Sequence, residues 1–173
     1  MNKSTSVSVT RAVFFAAVSF CALSGSSAHA EQIKVEALAA TTTETKLEFA
    51  DGSKRYLLSI QREGKATGSV PLAGTTMHEW GTHDVSPGIG ASGNGYLVFT
   101  AAPGDIAYIK YQFRATPVTG TDGKTRNLIN GSWEVAGSAG KLKPLHGAGV
   151  LRVAVVSPTE RLWTLEGELL RAP

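Results

Sequence analysis

Cysteine is almost absent from this 173-residue sequence, and its absence excludes several kinds of site. The one cysteine, Cys21, lies in an N-terminal segment that we expect to be removed. The alternative, in which Cys21 is lipidated, calls for small residues before it, but Phe20 stands there. The chain from Glu31 onward, about 143 residues, then has no disulfide, thiolate metal site or cysteine nucleophile. Its fold must depend on one hydrophobic core.

The first 30 residues also lack any acidic residue, and their pattern is typical of a secretory signal peptide. Lys3 and Arg11 precede an apolar run over residues 12–23, which is too short for a membrane-spanning helix of roughly 20 residues. Residues 28–30, Ala-His-Ala, form an A-x-A cleavage signal. We therefore predict a signal peptide over residues 1–30, a periplasmic or extracellular location, and no integral membrane span after cleavage.

An excess of charge of one sign is also missing once the leader is removed. The full chain has 17 basic and 14 acidic side chains, and loss of Lys3 and Arg11 leaves 15 against 14, a net charge of about +1. Binding to nucleic acid or to an anionic membrane surface requires concentrated positive charge. We therefore predict no nucleic-acid partner.

Long helical periodicity is absent as well, and the apolar residues alternate in short runs, which is typical of an all-β protein. The clearest runs are residues 45–50, 54–62, 77–85, 95–102, 106–115, 128–136, 149–156 and 161–170, with residues 32–38 as a ninth candidate. In the run 106–114 the apolar face carries Ala107, Ile109, Tyr111 and Phe113, and the other face carries Tyr108, Lys110, Gln112 and Arg114. Each strand therefore has one face to bury.

Turn signals connect these runs locally. They include Asp51-Gly52, Pro103-Gly104-Asp105, Thr121-Asp122-Gly123 and Ser157-Pro158-Thr159. Consecutive hairpins form a meander, and closing the meander into a barrel removes exposed sheet edges. We predict a single domain over residues 31–173 that folds as an eight-stranded antiparallel up-and-down β-barrel of the calycin-like type. An open sandwich is the alternative.

Two glycine-rich segments match parts of nucleotide-binding motifs but lack the required context. Residues 88–93, Gly-Ile-Gly-Ala-Ser-Gly, fit the dinucleotide pattern, yet the strand run 95–102 follows where a helix is needed. Residues 137–141 lack the glycine spacing and the final Ser or Thr of a phosphate loop. We predict a glycine-rich loop at residues 88–93 and no cofactor.

Two histidines stand beside acids, as His78-Glu79 and His83-Asp84. On an extended strand the two histidines point to opposite faces and cannot converge on one ion. Glu79 and His83 share a face but lie roughly 13 Å apart at about 3.3 Å per residue, so a shared ion would need a bulge or another strand's ligand. We predict no metal site. A metal-dependent enzyme that uses His78, His83 or His146 is the alternative.

Glu79 and His83 are the catalytic candidates, because they share a face with Met77 and could reach the barrel interior as a proton-transfer pair. The alternative is that both are solvated strand residues. No serine stands in a Gly-x-Ser-x-Gly elbow, so we assign no nucleophile. The ligand-binding candidates are aromatic: Trp80, Tyr108 and Tyr111.

One segment, residues 130–153, resembles a known family. It reads NGSWEVAGSAGKLKPLHGAGVLRV and is similar to the hairpin G-G-T/S-G-x-F-x-G-x-x-G of plant dirigent proteins and allene oxide cyclases. Gly137, Gly140 and Gly147 fall on that pattern, and we predict that they are structural turn glycines. Departures from the pattern occur at Ser138, Leu142 and Pro144.

The resemblance covers roughly residues 95–170 and implies a small eight-stranded barrel with an apolar cavity. In those families the cavity guides the coupling of phenoxy radicals or cyclises an unstable fatty-acid epoxide, without a metal or organic cofactor. No catalytic residue is carried over. The leading hypothesis is an exported barrel that binds a small apolar or phenolic ligand in its lumen, with isomerase- or cyclase-type activity that relies on shape.

The alternative is a non-catalytic envelope or interaction protein with a filled barrel, which recognises its partner through loops at residues 85–94 and 117–124. An interior filled by Trp80, Trp133 and Trp163 would favour this alternative, whereas a cavity of about 300 Å³ or more would favour a ligand. Oligomerisation is compatible with both hypotheses.

Overall fold

Eight strands form a closed barrel in the computed structural model of the protein, which describes residues 29–171. The strands are β1 (His29–Glu48), β2 (Tyr56–Gly68), β3 (Thr76–Ser86), β4 (Gly90–Ala102), β5 (Asp105–Thr119), β6 (Thr125–Ala139), β7 (Leu145–Val155) and β8 (Glu160–Arg171). Each strand pairs antiparallel with its neighbour in the chain, and β8 pairs with β1. The predicted all-β, eight-stranded up-and-down barrel is confirmed, and the open sandwich is excluded. The predicted signal peptide lies outside the described residues, apart from its last two, with which β1 begins.

The two N-terminal runs at residues 32–38 and 45–50 belong to one strand of 20 residues, β1. A β-bulge between Thr41 and Thr43 joins them, because pairing with β2 skips one residue there. The extra residue shifts the inward–outward alternation by one position. A strict period-two pattern therefore breaks at the bulge, and one strand looks like two in the sequence. Residues 29–171 therefore form eight strands rather than nine.

The turns divide into two sets, because consecutive strands run in opposite directions. The β1–β2, β3–β4, β5–β6 and β7–β8 turns lie at one end of the barrel, called here the upper end. The remaining turns lie at the lower end. Gly52, Gly104 and Gly123 in these turns have φ between 72° and 85°, as the Asp-Gly and Pro-Gly signals predicted.

The two predicted recognition loops, residues 85–94 and 117–124, are wrong in extent. Residues 87–89 alone form the β3–β4 turn, and β4 already begins at Gly90 inside the glycine-rich run. In the same way β5 continues to Thr119. At the start of β4, glycine and serine carry too little side chain to show an alternating pattern, so the sequence gives no strand signal there.

The interior is packed with large aromatic side chains, and glycines on the inner face make room for them. The buried rings belong to Phe99, Tyr111, Phe113, Trp133 and Trp163. A methyl group at Gly93 would lie 2.6 Å from a ring carbon of Phe113, and one at Gly149 would lie 2.8 Å from the indole nitrogen of Trp133. Both distances are well inside van der Waals contact, so the aromatic packing requires glycine at these positions.

The lower end of the barrel is the more tightly closed. Leu72, from the β2–β3 connection, and Leu145, at the start of β7, are almost fully buried there. At the upper end the inward side chains keep some exposure, and His83, Phe113 and Ala115 are each 8% exposed. The upper end is therefore the less tightly closed of the two.

Candidate functional site

Glu79 lies at the centre of a buried cluster of polar side chains inside the barrel. Arg62 Nη1 donates a hydrogen bond to Glu79 Oε2 at 2.6 Å. The Tyr111 hydroxyl donates to Oε1 at 2.6 Å, and His83 Nε2 lies 3.2 Å from the same oxygen. Three of the residues singled out in the sequence therefore meet at one place. We call these four residues, Arg62, Glu79, His83 and Tyr111, the ionic cluster.

Three strands, β2, β3 and β5, supply the side chains of the ionic cluster. Arg62 on β2 is the register partner of Glu79 on β3, and both side chains point inward. Tyr111 on β5 is separated from β3 by β4, yet its hydroxyl reaches Glu79. The Tyr111 side chain can cross β4 because its register partner on that strand is Gly95. Gly95 in turn pairs with Gly81 on β3. The Tyr111 hydroxyl lies in the space that a side chain at Gly81 would take, whereas a side chain at Gly95 would meet the backbone of Trp80 and Gly81.

Glu79 and His83 approach each other more closely than the sequence spacing predicted. The predicted separation of roughly 13 Å holds for the backbone, but the two side chains lean toward each other over Gly81. A methyl group at Gly81 would lie 2.8 Å from Glu79 Oε1 and 3.2 Å from His83 Nε2. The two side chains therefore touch directly, although β3 has no bulge in its pairing with β2. The alternative that both are solvated strand residues is wrong, because both are buried.

Arg62 is the member of the ionic cluster that the sequence analysis missed. It is only 4% exposed and shares the inner face of β2 with Ile60 and Ala66. An arginine at an inward position of an alternating strand was the available signal, since a buried cation requires a buried acid. Within residues 29–171, Arg62 Nε and Trp163 Nε1 are buried donors without a hydrogen-bond partner. Two interior N–H groups are thus available to an acceptor.

Electrostatics fix the protonation states of Glu79 and Tyr111. Burial alone would raise the pKa of Glu79, but the hydrogen bond with His83 and the positive charge of Arg62 outweigh it, so the pKa lies below its ordinary value. Burial, followed by the negative charge of Glu79, raises the pKa of the Tyr111 hydroxyl. At neutral pH Glu79 is therefore an anion and Tyr111 a neutral donor.

His83 is the member of the ionic cluster nearest to the upper end of the barrel. It is the most exposed of the four, and its ring packs edge-to-face on Phe113 with centroids 4.9 Å apart. We assign the proton to Nε2, which then donates to Glu79 and leaves a lone pair on Nδ1. Glu79 orients the imidazole through this contact, as carboxylates do in hydrolytic triads. The pair can therefore accept a proton at Nδ1 and return it.

Trp80 and Tyr108 do not line the interior. Trp80 is 55% exposed and Tyr108 is 41% exposed on the outer wall of the barrel. The reason is the strand alternation itself, which turns Trp80 away from Glu79 and Tyr108 away from Tyr111. Of the three ligand-binding candidates, Tyr111 alone belongs to the interior.

The histidines of the metal alternative are separated by the fold. His78 points outward from β3 and lies 3.9 Å from Glu63, while His83 points inward. His146 is exposed on β7, at the lower end. In the described part of the chain, no three His, Cys, Asp or Glu side chains are grouped so that they could hold an ion.

The three hairpin glycines differ in their surroundings. Gly140 has a φ of 60° and begins a short 3₁₀ turn, and a methyl group there would lie 3.0 Å from the Asp105 Cα. At Gly147 a methyl group would lie 2.7 Å from a methyl carbon of Leu169. Gly137 lies within β6, where the nearest atom to an added methyl would be 4.0 Å away. Backbone geometry therefore requires glycine at Gly140, and close packing requires it at Gly147.

Comparison with known proteins gives no family for this chain. No family model and no curated protein matches it. A solved structure of a protein of unknown function from Clostridium acetobutylicum is similar, with 11% sequence identity and a TM-score of 0.49. The similarity covers 83% of this chain and 99% of that one. Residues 29–171 contain no helix that is long and apolar enough to span a membrane.

Proposed function

We propose that the protein is an exported barrel that binds a small, mainly apolar ligand at the upper end of its interior. The observation that carries this proposal is the ionic cluster inside an otherwise apolar core. A buried ion pair stabilises a fold little compared with apolar residues of similar size, so stability does not explain its presence. Buried titratable groups with shifted pKa values are typical of functional sites. Export is inferred from the leader-like composition of residues 1–30.

We infer the class of ligand from the donors around the ionic cluster. Arg62 Nε and Trp163 Nε1 offer two buried N–H groups, which suit a carboxylate, carbonyl or phenolic oxygen. Phe113 and Ala115, at the upper end, offer an apolar surface to the rest of the molecule. Fatty acids and small phenols combine both features. The similarity of residues 130–153 to dirigent proteins and allene oxide cyclases points to the same ligand classes.

The same groups would support isomerase- or cyclase-type chemistry without a metal or organic cofactor. His83 Nδ1 would remove a proton from the ligand, and the proton would return from His83 to another atom of the same ligand. Negative charge that develops on a ligand oxygen would be stabilised by the nearby N–H donors. The buried site would hold one conformer and exclude water.

The second candidate is a non-catalytic envelope or interaction protein with a filled barrel. The burial of Trp133 and Trp163 favours it, because these rings occupy much of the interior. The turns that remain at residues 87–89 and 120–124 are short, so recognition in this case would involve the outer wall of the barrel.

Displacement of a fluorescent apolar dye from the purified protein tests the first proposal. Oleic acid, a jasmonate-like oxylipin and coniferyl alcohol are suitable competitors. We expect at least one to displace the dye, and we expect His83→Gln to weaken binding by about tenfold, or ~1.4 kcal/mol. Tyr108→Ala, on the outer wall, is the control and should leave the affinity unchanged.

Two results would favour the second candidate instead. One is that none of the three competitors displaces the dye. The other is that displacement occurs with equal affinity in the wild type and His83→Gln, which would mean that the dye and ligands bind elsewhere on the protein. Urea unfolding of His83→Gln shows whether a lost affinity reflects a lost fold.

A further inference from the structure

A second candidate site lies on the outside of the barrel, opposite the face that forms the core. Two adjoining grooves of about 590 and 520 Å³ lie along the outer wall of β4, β5 and β6, and the larger extends to Ala148 and Gly149 on β7. They share three residues, Asn94, Gln112 and Ser132. These three are register partners across the strands and form the floor of the combined groove. We call the combined groove the wall trough.

The two sides of the wall trough differ in chemistry. On one side stand the register partners Tyr96, Lys110 and Glu134. On the other side Arg114 is flanked by small polar residues. From one side to the other the trough extends over four residues of a strand, about 13 Å at 3.3 Å per residue. It is therefore long enough for an extended ligand rather than a single small group.

We propose that the wall trough binds an oligosaccharide. The floor groups are two amides and a hydroxyl, each of which can both donate and accept hydrogen bonds. Sugar hydroxyls have the same dual character. Gln112 Nε2 already donates to Ser132 Oγ at 3.2 Å, so these side chains are held in place before a ligand binds.

Aromatic rings beside the floor supply the second element of sugar recognition. Tyr96 is 43% exposed and pairs directly with the exposed Trp80 on β3. Tyr and Trp present a flat apolar face together with a polar tip, which suits the apolar face of a pyranose ring. Exposed aromatic rings next to uncharged polar groups thus match a ligand that is apolar on its faces and polar at its edges.

Charge and topology argue against other occupants. Lys110 and Glu134 lie 3.5 Å apart and neutralise each other, so the aromatic side of the trough has no net charge to attract an ionic ligand. A peptide strand cannot add to this wall, because every strand of the closed barrel is already paired on both sides. Recognition there must use side chains, and the groove volumes fall in the usual range for small ligands.

Fluorescence titration with chitohexaose, cellohexaose and xylohexaose tests the proposal. Trp80 is the reporter, because it lies beside Tyr96 whereas Trp133 and Trp163 are buried in the core. We expect a blue shift of Trp80 emission with at least one of these sugars. Tyr96→Ala and Gln112→Ala should each weaken binding by about tenfold or more.

Two controls separate this site from the interior one. Val155→Ala, at an exposed apolar position outside the wall trough, should bind as the wild type does. His83→Gln should also leave sugar binding unchanged, so the two proposals fail independently. The proposal is overturned if none of the three sugars binds, or if Tyr96→Ala and Gln112→Ala, shown to be folded by circular dichroism, bind with wild-type affinity.

Discussion

Glu79 and His83 stand four residues apart on one strand, yet their side chains meet at 3.2 Å inside the barrel. Gly81 between them has no side chain, and the hydroxyl of Tyr111 fills the gap from across the sheet. The contact between Glu79 and His83 therefore depends on the missing side chain of Gly81, although Gly81 itself bonds to neither of them.

Gly81→Ala should break the contacts of Glu79. A methyl group there would lie 2.8 Å from Glu79 Oε1 and would also collide with the Tyr111 hydroxyl, so the cluster must shift. We expect a loss of about 1–3 kcal/mol in the free energy of unfolding, measured in urea. The matched control is Gly137→Ala, whose methyl has open space and should change stability by less than about 0.5 kcal/mol. Equal stability of both variants would contradict the geometry.

Glu79→Gln should destabilise the protein strongly, because Arg62 would stay buried without a counter-charge. We expect a loss of about 3–5 kcal/mol in the free energy of unfolding. The double variant Arg62→Met/Glu79→Leu should recover most of this loss, since it removes both charges and keeps the volume apolar. A double variant that is less stable than Glu79→Gln would show that the ion pair itself stabilises the fold.

The matching surface control is Glu36→Gln, which removes the partner of Lys34 in an exposed pair at 3.0 Å. Solvent screens such pairs, so this variant should unfold at the same urea concentration as the wild type.

The stability that Glu79 contributes should depend on pH in a defined direction. Its pKa in the folded protein lies below the ordinary value, so the unfolded chain binds the proton more readily. Stability is then fully present above about pH 5 and is lost as pH falls through the folded pKa. The difference in unfolding free energy between the wild type and Glu79→Gln should therefore shrink below about pH 4. A difference that grows toward low pH would contradict this assignment.

The sequence was informative about the fold because strand alternation and turn chemistry are local signals. The runs that became β3, β5 and β8 were placed within a few residues of their ends. Alternation failed where a bulge changed its phase, at Thr41 to Thr43, and where glycine and serine carried no pattern, at the start of β4. The bulge arises from pairing with a neighbouring strand, which a single strand's sequence does not encode, whereas the start of β4 lacks the side chains that would show an alternation.

The sequence named part of the ionic cluster but could not assemble it. Period-two alternation put Glu79, His83 and Tyr111 on inner faces, and all three belong to the cluster. Their contact depends on the register Gly81–Gly95–Tyr111 across three strands, which follows from barrel closure. Arg62 was missed because a charged residue on a strand is usually solvated, and only the partner across the sheet explains its burial.

Trp80 should be the solvent-accessible tryptophan of the three in the chain. It is 55% exposed on the outer wall, whereas Trp133 and Trp163 are buried in the core. Iodide should therefore quench the red-shifted part of the tryptophan emission, which comes from Trp80. Trp80→Phe should remove this quenchable part. Trp133→Phe should instead remove unquenched, blue-shifted emission. If Trp80→Phe left the quenchable fraction unchanged, Trp80 would lie inside the barrel. The sugar site on the wall trough would then lose one of its two aromatic rings and keep Tyr96 alone.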